Sequence, residues 1–206
     1  MLNELTEWSV AIQIREGEEV CGDHYLICRA SSRVLVAVVD GIGHGPEAAR
    51  ASHTAVSTLE ANAEKPLVSL FEACHKALRS TRGVVMSLAI FDESDNSMAW
   101  LGVGNVEGRL LRADKSSKQP EEQLFKYGGV VGHDLPAALV FGILPVAKDD
   151  VLILATDGIH HDFTKDLYIG RSTYHIANEI LAGHGKGTDD ALVMVARYQG
   201  GVPSQK

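Results

Sequence analysis

The order of hydrophobic and polar residues predicts many short strands in this chain. Six consecutive apolar residues at 34–39, mostly β-branched, indicate a strand that is buried on both faces. The runs at 151–155 and 191–196 have the same character. Further strands are predicted at residues 8–14, 24–29, 84–91, 98–103, 106–111 and 135–144.

Apolar residues also recur at helical spacing in three segments. These segments are residues 46–63, residues 66–82, which Gly83 brings to a stop, and residues 172–182. Residues 113–123 are polar and lysine-rich, which predicts a surface loop. Because most strands are joined by short turns, we expect antiparallel pairing. The pattern alone therefore predicts an α+β fold.

Carboxylates stand at the ends of the most apolar strands. Asp40 follows the run at 34–39 and opens a glycine-rich turn, and Asp157 follows the second apolar run in the same way. Asp189 and Asp190 precede the third. A carboxylate at the mouth of a buried strand needs either an Arg or Lys partner or a metal ion. Since no basic residue is a near neighbour of Asp40 or Asp157 in sequence, the pattern favours a hard divalent cation, Mg²⁺ or Mn²⁺.

Composition narrows the classes of protein. The chain has 206 residues, 45% of them apolar, and a net charge of −8, so we expect a single domain over residues 1–206 and no nucleic-acid partner. No apolar run approaches the roughly 18 residues of a membrane helix, and no signal-peptide pattern is present, which predicts a cytoplasmic protein without membrane contact. The three cysteines have no metal-type spacing and are expected to be reduced thiols.

The motifs, taken in order, resemble those of the metal-dependent type 2C serine/threonine protein phosphatases. The matching residues are Gly22-Asp23, Asp40-Gly41, Thr156-Asp157-Gly158 and Asp189-Asp190. The short length, Arg82-Gly83 and residues 102–106 are similar to the SpoIIE-like branch and to its stressosome phosphatases. The resemblance implies an αββα sandwich of two antiparallel sheets flanked by helices, with the metals at one end between the sheets.

The resemblance also implies roles for single residues. Asp40 would bridge two Mn²⁺ or Mg²⁺ ions, and Gly41 would contribute its backbone carbonyl. Asp157 and Asp189 match terminal metal ligands, and Asp23 matches a further one. Adjacent residues at a strand start point to opposite faces, so Asp190 would serve as a hydrogen-bond acceptor outside the metal site, unless a β-bulge exchanges it with Asp189.

Other polar residues have competing interpretations. His44 is either the acid that protonates the leaving serine oxygen or an exposed turn residue. Residues 160–162, His-His-Asp, do not have the spacing of a zinc site, and Asn105 is expected to be a left-handed turn residue. Many type 2C phosphatases hold the substrate phosphate with an Arg near the first motif. Residues 18–23 contain none, so phosphate binding is expected to fall mainly to the metals.

The implied function is hydrolysis of phosphoserine or phosphothreonine in proteins. The stressosome likeness implies phosphorylated STAS-domain proteins as substrates, feedback control of stress signalling, and a monomeric enzyme. Two alternatives remain open from the residues. One is a pseudophosphatase that uses the same fold as a binding module. The other is a metal-dependent hydrolase of small phosphoesters.

Overall fold

Eleven strands and three helices make up the described part of the chain, residues 6–114, 116–117 and 119–200 of a computed structural model. The strands are β1 (Thr6–Gln13), β2 (Asp23–Ala30), β3 (Arg33–Gly41), β4 (Val84–Asp92), β5 (Ser97–Val103), β6 (Glu107–Leu111), β7 (Glu121–Gln123), β8 (Lys126–Tyr127), β9 (Gly142–Pro145), β10 (Val151–Ala155) and β11 (Ala191–Tyr198). The helices are α1 (Gly45–Glu60), α2 (Leu67–Ala77) and α3 (Thr173–His184).

The strands form two sheets that pack face to face. One sheet has the order β1-β11-β10-β6-β7, and the other has the order β2-β3-β4-β5-β8, with β9 also paired to β5. The pairings are antiparallel except that between β5 and β8, which is parallel. Helices α1 and α2 cover the second sheet, and α3 covers the first. The predicted αββα sandwich is therefore confirmed.

Strand β3 shows why its sequence is continuously apolar. Leu35, Ala37 and Val39 pack toward α1 and α2, whereas Val36 and Val38 pack into the core between the sheets. All five are at most 1% exposed. Burying one such side chain contributes about 1.5–3 kcal/mol, so both faces of this strand hold layers of the sandwich together.

Close backbone packing brings the strand ends together at one end of the sandwich. A methyl group on Gly41 would lie 2.1 Å from the carbonyl oxygen of Ala48 in α1. A methyl group on Gly158 would lie 2.0 Å from the carbonyl oxygen of Asp190. Glycine is thus required after both Asp40 and Asp157 because the neighbouring backbone leaves no room for a side chain.

Three predicted boundaries are wrong. The second helix ends at Ala77, and residues 78–82 form a turn, in which Thr81 Oγ1 donates to the carbonyl of Leu78 (2.8 Å). Residues 135–141 are not a strand, because Leu135 and Leu139 pack against the helix-side core and Pro136 has no N–H for a ladder. Within the predicted loop, β7 pairs with β6.

The cysteines are unpaired thiols, as predicted. Cys74 is buried, and Cys21 and Cys28 are partly buried. Burial raises the pKa of the Cys74 thiol to about 12, which keeps it protonated and unreactive. Separately, none of the described helices combines the length and the apolar character that crossing a bilayer requires.

Candidate active site

A cavity of about 370 Å³ opens at the end of the sandwich where the two sheets meet. Its walls include Asp40, Asp157 and Asp189, three of the predicted metal ligands, together with His44 and Asn105. Asp40 comes from one sheet, and the other two aspartates flank β10 and β11 of the other sheet. The fold therefore gathers carboxylates that are far apart in sequence.

Asp40 is partly buried and has other aspartates as neighbours. It continues the inward-facing positions of β3, and burial followed by repulsion from Asp23, Asp157, Asp189 and Asp190 raises its pKa to about 9. Within the described residues, no Lys or Arg forms an ion pair with Asp40, Asp23 or Asp157. The Arg or Lys partner that the sequence left open for Asp40 is therefore not observed.

Asp23 lies behind the cavity and does not line it. It is directly opposite Asp40 in the β2–β3 pairing and is only 4% exposed. The Thr156 hydroxyl donates to Asp23 Oδ2 (2.7 Å) and accepts from the backbone N–H of Leu192 (2.9 Å). Burial, with repulsion from the neighbouring aspartates, raises the pKa of Asp23 to about 7. Thr156 thus connects the carboxylate of one sheet to a strand of the other.

Two residues whose roles the sequence did not predict, Asn105 and Lys186, hold Asp157 in place. Asn105 Nδ2 donates to Asp157 Oδ2 (2.8 Å), and Lys186 Nζ donates to the Asp157 backbone carbonyl (2.5 Å). Asn105 is not a left-handed residue, so that expectation is wrong; Gly104, with φ +99°, makes the turn instead. The β6–β10 register, in which Glu107 faces Ala155, brings Asn105 opposite Asp157, and sequence alone does not reveal this pairing.

Asp189 and Asp190 have different surroundings. Asp190 is 4% exposed and accepts backbone N–H groups from Arg15 (2.9 Å) and Gly22 (2.7 Å). Asp189 reaches the cavity, and Arg15 Nη1 lies 4.0 Å from its Oδ1 in a partly exposed ion pair. The placement agrees with the predicted division of roles, in which Asp189 faces the site and Asp190 serves as a hydrogen-bond acceptor.

His44 lies on the cavity wall just before α1 and is paired with Glu18. Its Nδ1 is 2.5 Å from Glu18 Oε1, and the ring is about half exposed. A methyl group on Gly45 would lie 2.7 Å from Glu18 Oε2, so glycine at that position lets the carboxylate approach. Glu18 was not predicted, because the β1–β2 connection contains several similar acidic residues.

The other predicted positions lie away from the cavity surface. Gly41 is buried beneath it, so its carbonyl role stays a prediction. His160 and Asp162 lie near the end of α3, where His160 N–H donates to the carbonyl of His184 (2.9 Å) and His184 pairs with Asp162 (3.5 Å). As expected, they do not join the aspartates.

The carboxylate arrangement fits a hydrated divalent cation. Among the described residues, no group of three or more His, Cys, Asp or Glu side chains is close enough to hold a metal ion without further ligands. Mg²⁺ normally keeps several waters and uses only one or two carboxylates, so an open site suits it. Such an ion would also offset the desolvation by burial and the repulsion from neighbouring aspartates that raise the pKa values of Asp40 and Asp23.

Comparison with known proteins decides the family. The sequence signature described as Stage II sporulation protein E (SpoIIE) matches residues 30–172. The chain belongs to the SpoIIE family. It is 26% identical over 184 residues to phosphoserine phosphatase RsbX of Bacillus subtilis (strain 168), covering 89% of this chain and 90% of RsbX. The SpoIIE-like resemblance of the motifs is thus confirmed.

Solved structures agree on the fold of this SpoIIE-family chain. A chain from work on the bacterial stressosome as a modular system adapted to control secondary messenger signaling has TM-score 0.84 and 30% identity, covering 93% of this chain and 99% of that one. The structure of RsbX in complex with magnesium has TM-score 0.83 and 23% identity, and the match covers 96% of this chain and 97% of that chain. The structure of the PP2C phosphatase domain of SpoIIE from Bacillus subtilis has TM-score 0.78 and 22% identity, and the match covers 96% of this chain and 64% of that chain. The predicted assignment as a protein phosphatase of the PP2C class is confirmed.

The contrast between Asp189 and Asp190 gives the first prediction. Asp190→Asn replaces one of the two acceptor oxygens with an NH₂ group, which then faces a backbone N–H donor. The loss of that hydrogen bond should lower the free energy of unfolding by about 2 kcal/mol. Asp189→Asn should leave the metal-free stability unchanged but raise the Mn²⁺ concentration needed for half-maximal activity by about tenfold. Urea unfolding and Mn²⁺ titration of both variants measure these effects. A larger rise in metal requirement for Asp190→Asn would contradict the assignment.

The second prediction concerns the metal-free protein and Asp40. The folded-state pKa of Asp40, about 9, lies above its ordinary value of 3.8, so the folded protein retains a proton that the unfolded chain releases. Its contribution is therefore fully present below pH 4 and is lost as pH rises toward 9. Asp40→Asn cannot ionise, so its stability gain over wild type should be larger at pH 8 than at pH 5, measured by thermal unfolding with chelator.

Asp95→Asn, at the exposed turn between β4 and β5, is the control for that measurement. Its stability relative to wild type should be the same at both pH values. An Asp40→Asn protein that is less stable than wild type at both pH values would mean that the carboxylate is held by a favourable contact.

Proposed function

We propose that this chain is a Mn²⁺- or Mg²⁺-dependent phosphatase for phosphoserine and phosphothreonine in STAS-domain proteins of a stressosome. The observation that carries the proposal is the cavity that Asp40, Asp157 and Asp189 line together without a strong cationic partner. The similarity to RsbX, a phosphoserine phosphatase, and to a chain from work on the stressosome supports the substrate class. A cytoplasmic, monomeric, single-domain enzyme that acts in feedback is part of the proposal.

The metal-holding residues in this proposal are those predicted from the motifs, except for Asp23, which was predicted as a further ligand but does not line the cavity. Asp40 would be shared by two ions, with the carbonyl of Gly41, and Asp157 and Asp189 would complete the set on the opposite sheet. Asp23, which lies behind Asp40, would attract the ions through its negative charge. When bound, a divalent cation supplies Lewis-acid polarisation of the phosphoryl group and a more acidic water as nucleophile.

Asn105 and Lys186 keep the Asp157 carboxylate directed at the cavity. Asn105 occupies one carboxylate oxygen and leaves the other available, while Lys186 holds the backbone. Groups of this kind fix the orientation of a ligand and tune its affinity for the ion. They lie on separate loops, before β6 and after α3, so the sheet that contains β6, β10 and β11 and its covering helix must be in place for Asp157 to be oriented.

His44 fits the role of proton donor to the leaving serine oxygen. Glu18 accepts the Nδ1 hydrogen, which leaves Nε2 as the nitrogen that gives its proton to the substrate. The carboxylate also holds the imidazole ring in a fixed orientation, as in other carboxylate–histidine pairs. His44 is therefore more than an exposed turn residue in this proposal.

Direct attack by water suits the site better than a covalent phosphoenzyme. Cys21 is close to Asp23 and Asp190, but burial and these charges raise its pKa to about 12. A thiol that stays protonated is a poor nucleophile. The cavity side chains named above offer carboxylates and an imidazole, but no activated hydroxyl or thiol.

The deciding experiment is dephosphorylation of purified phosphoserine-containing STAS proteins with Mn²⁺, after chelation, and after Mn²⁺ is restored. We expect activity to vanish on chelation and to return with metal, and the melting temperature to rise with added ion because the ion binds the folded state. Full activity in verified metal-free protein would end the proposal. Tight binding of the phosphoprotein without turnover would identify a pseudophosphatase. Preference for a generic aryl phosphate would identify a small-phosphoester hydrolase.

The His44–Glu18 pair gives a further prediction. His44→Ala should lower kcat for phosphoserine by about a hundredfold, because the serine alkoxide is a poor leaving group, and Glu18→Gln should give a smaller loss of the same kind. An activated aryl phosphate, whose leaving group needs no proton, should be far less affected. The exposed His161→Ala is the control. Equal losses for both substrates would argue against proton donation by His44.

A further inference from the structure

Arg82 places a positive charge at the rim of the acidic cavity. It lies in the turn between α2 and β4, and its side chain is exposed. Gly43, which lines the cavity, has φ +92°, and a methyl group there would lie 2.8 Å from Arg82 Nη1. The guanidinium therefore lies directly against the loop that carries Asp40 and His44.

The backbone that carries Arg82 is fixed to this loop. The carbonyl of Gly83 accepts from the N–H of Ile42 (3.1 Å), and the N–H of Gly83 donates to Thr81 Oγ1 (3.0 Å). The Thr81 hydroxyl in turn donates to the carbonyl of Leu78 (2.8 Å). Arg82 thus extends from a turn whose distance from the cavity is set by main-chain hydrogen bonds.

The guanidinium of Arg82 keeps its donors available. Among the residues that the structure describes, its side chain makes no hydrogen bond and no ion pair, whereas Arg33, Arg109 and Arg112 each pair with a carboxylate. A guanidinium offers five N–H donors in a planar fork that matches the oxygens of a phosphate. An unpaired fork beside a phosphatase cavity is suited to an anionic ligand.

We propose that Arg82 binds the phosphoryl group of the substrate at the cavity rim, through paired N–H···O hydrogen bonds to oxygens that face away from the carboxylates. This inference rests on the proposed function and makes the ligand a phosphate monoester. It revises the expectation that phosphate binding falls mainly to the metals. Gly43 is needed in this arrangement because any side chain there would displace the guanidinium.

The test compares Arg82→Ala and Arg82→Lys with Arg79→Ala, an exposed arginine three residues earlier. With saturating Mn²⁺, Arg82→Ala should raise KM for the phosphoprotein and the inhibition constant of inorganic phosphate by about tenfold each, as expected for losing charged hydrogen bonds. The Mn²⁺ requirement should not change. Arg82→Lys should recover part of the loss, since it keeps the charge but not the fork, and Arg79→Ala should match wild type.

Unchanged KM and phosphate inhibition in Arg82→Ala, or an equal loss in Arg79→Ala, would overturn the assignment. A second measurement separates it from the proposed function: the rise in melting temperature that inorganic phosphate causes in the Mn²⁺-loaded protein. If wild type is inactive on phosphoproteins but shows this rise, and Arg82→Ala abolishes it, the proposed function fails and the phosphate site stands. A rise of equal size in both proteins would refute the site itself.

Discussion

Repulsion among carboxylates at the mouth of the sandwich is the constraint on which the rest of this structure depends. Asp23 and Asp40 are forced together by the β2–β3 register, and the strand ends of the other sheet add Asp157 and Asp189. Like charges at short range destabilise a fold. The cost is tolerated because three apolar layers behind the site bury nearly all of β3, β4, β10 and β11.

Neutral hydrogen-bond donors contact most of the site carboxylates directly, and the Lys186 ammonium contacts only the backbone carbonyl of Asp157. The Thr156 hydroxyl and backbone N–H groups serve Asp23 and Asp190, and the Asn105 amide serves Asp157. Arginine or lysine contacts with the Asp40 and Asp23 carboxylates would cancel the field that attracts a divalent ion. Donors without formal charge fix the geometry and leave the negative potential available for a metal.

Local sequence patterns predicted most of the strands, the helices and the carboxylates at the strand ends, whereas the layered sandwich was implied by the family resemblance. The run at 34–39 could only be a strand with two buried faces, and an aspartate at its end had no apolar role. The role of Asn105 was predicted wrongly and Glu18 was missed, because their roles depend on which strands pair and on how a loop folds back. The strand predicted at 135–141 was wrong for a related reason: its leucines are partly buried, but they pack against the core beside the helices and are not part of a strand ladder.

Strand β11 lies between β1 and β10, although it is the last strand described along the chain. The N-terminal strand β1 pairs with β11 over its whole length and has no other partner in its sheet. Asp190, next to β11, also supplies the acceptors that hold the backbone of Arg15 and Gly22. During synthesis, β11 must therefore be made before the segment between β1 and β2, which carries Glu18, can adopt its folded conformation. Synthesis from the N-terminus thus delays assembly of the catalytic site until the domain is almost fully made.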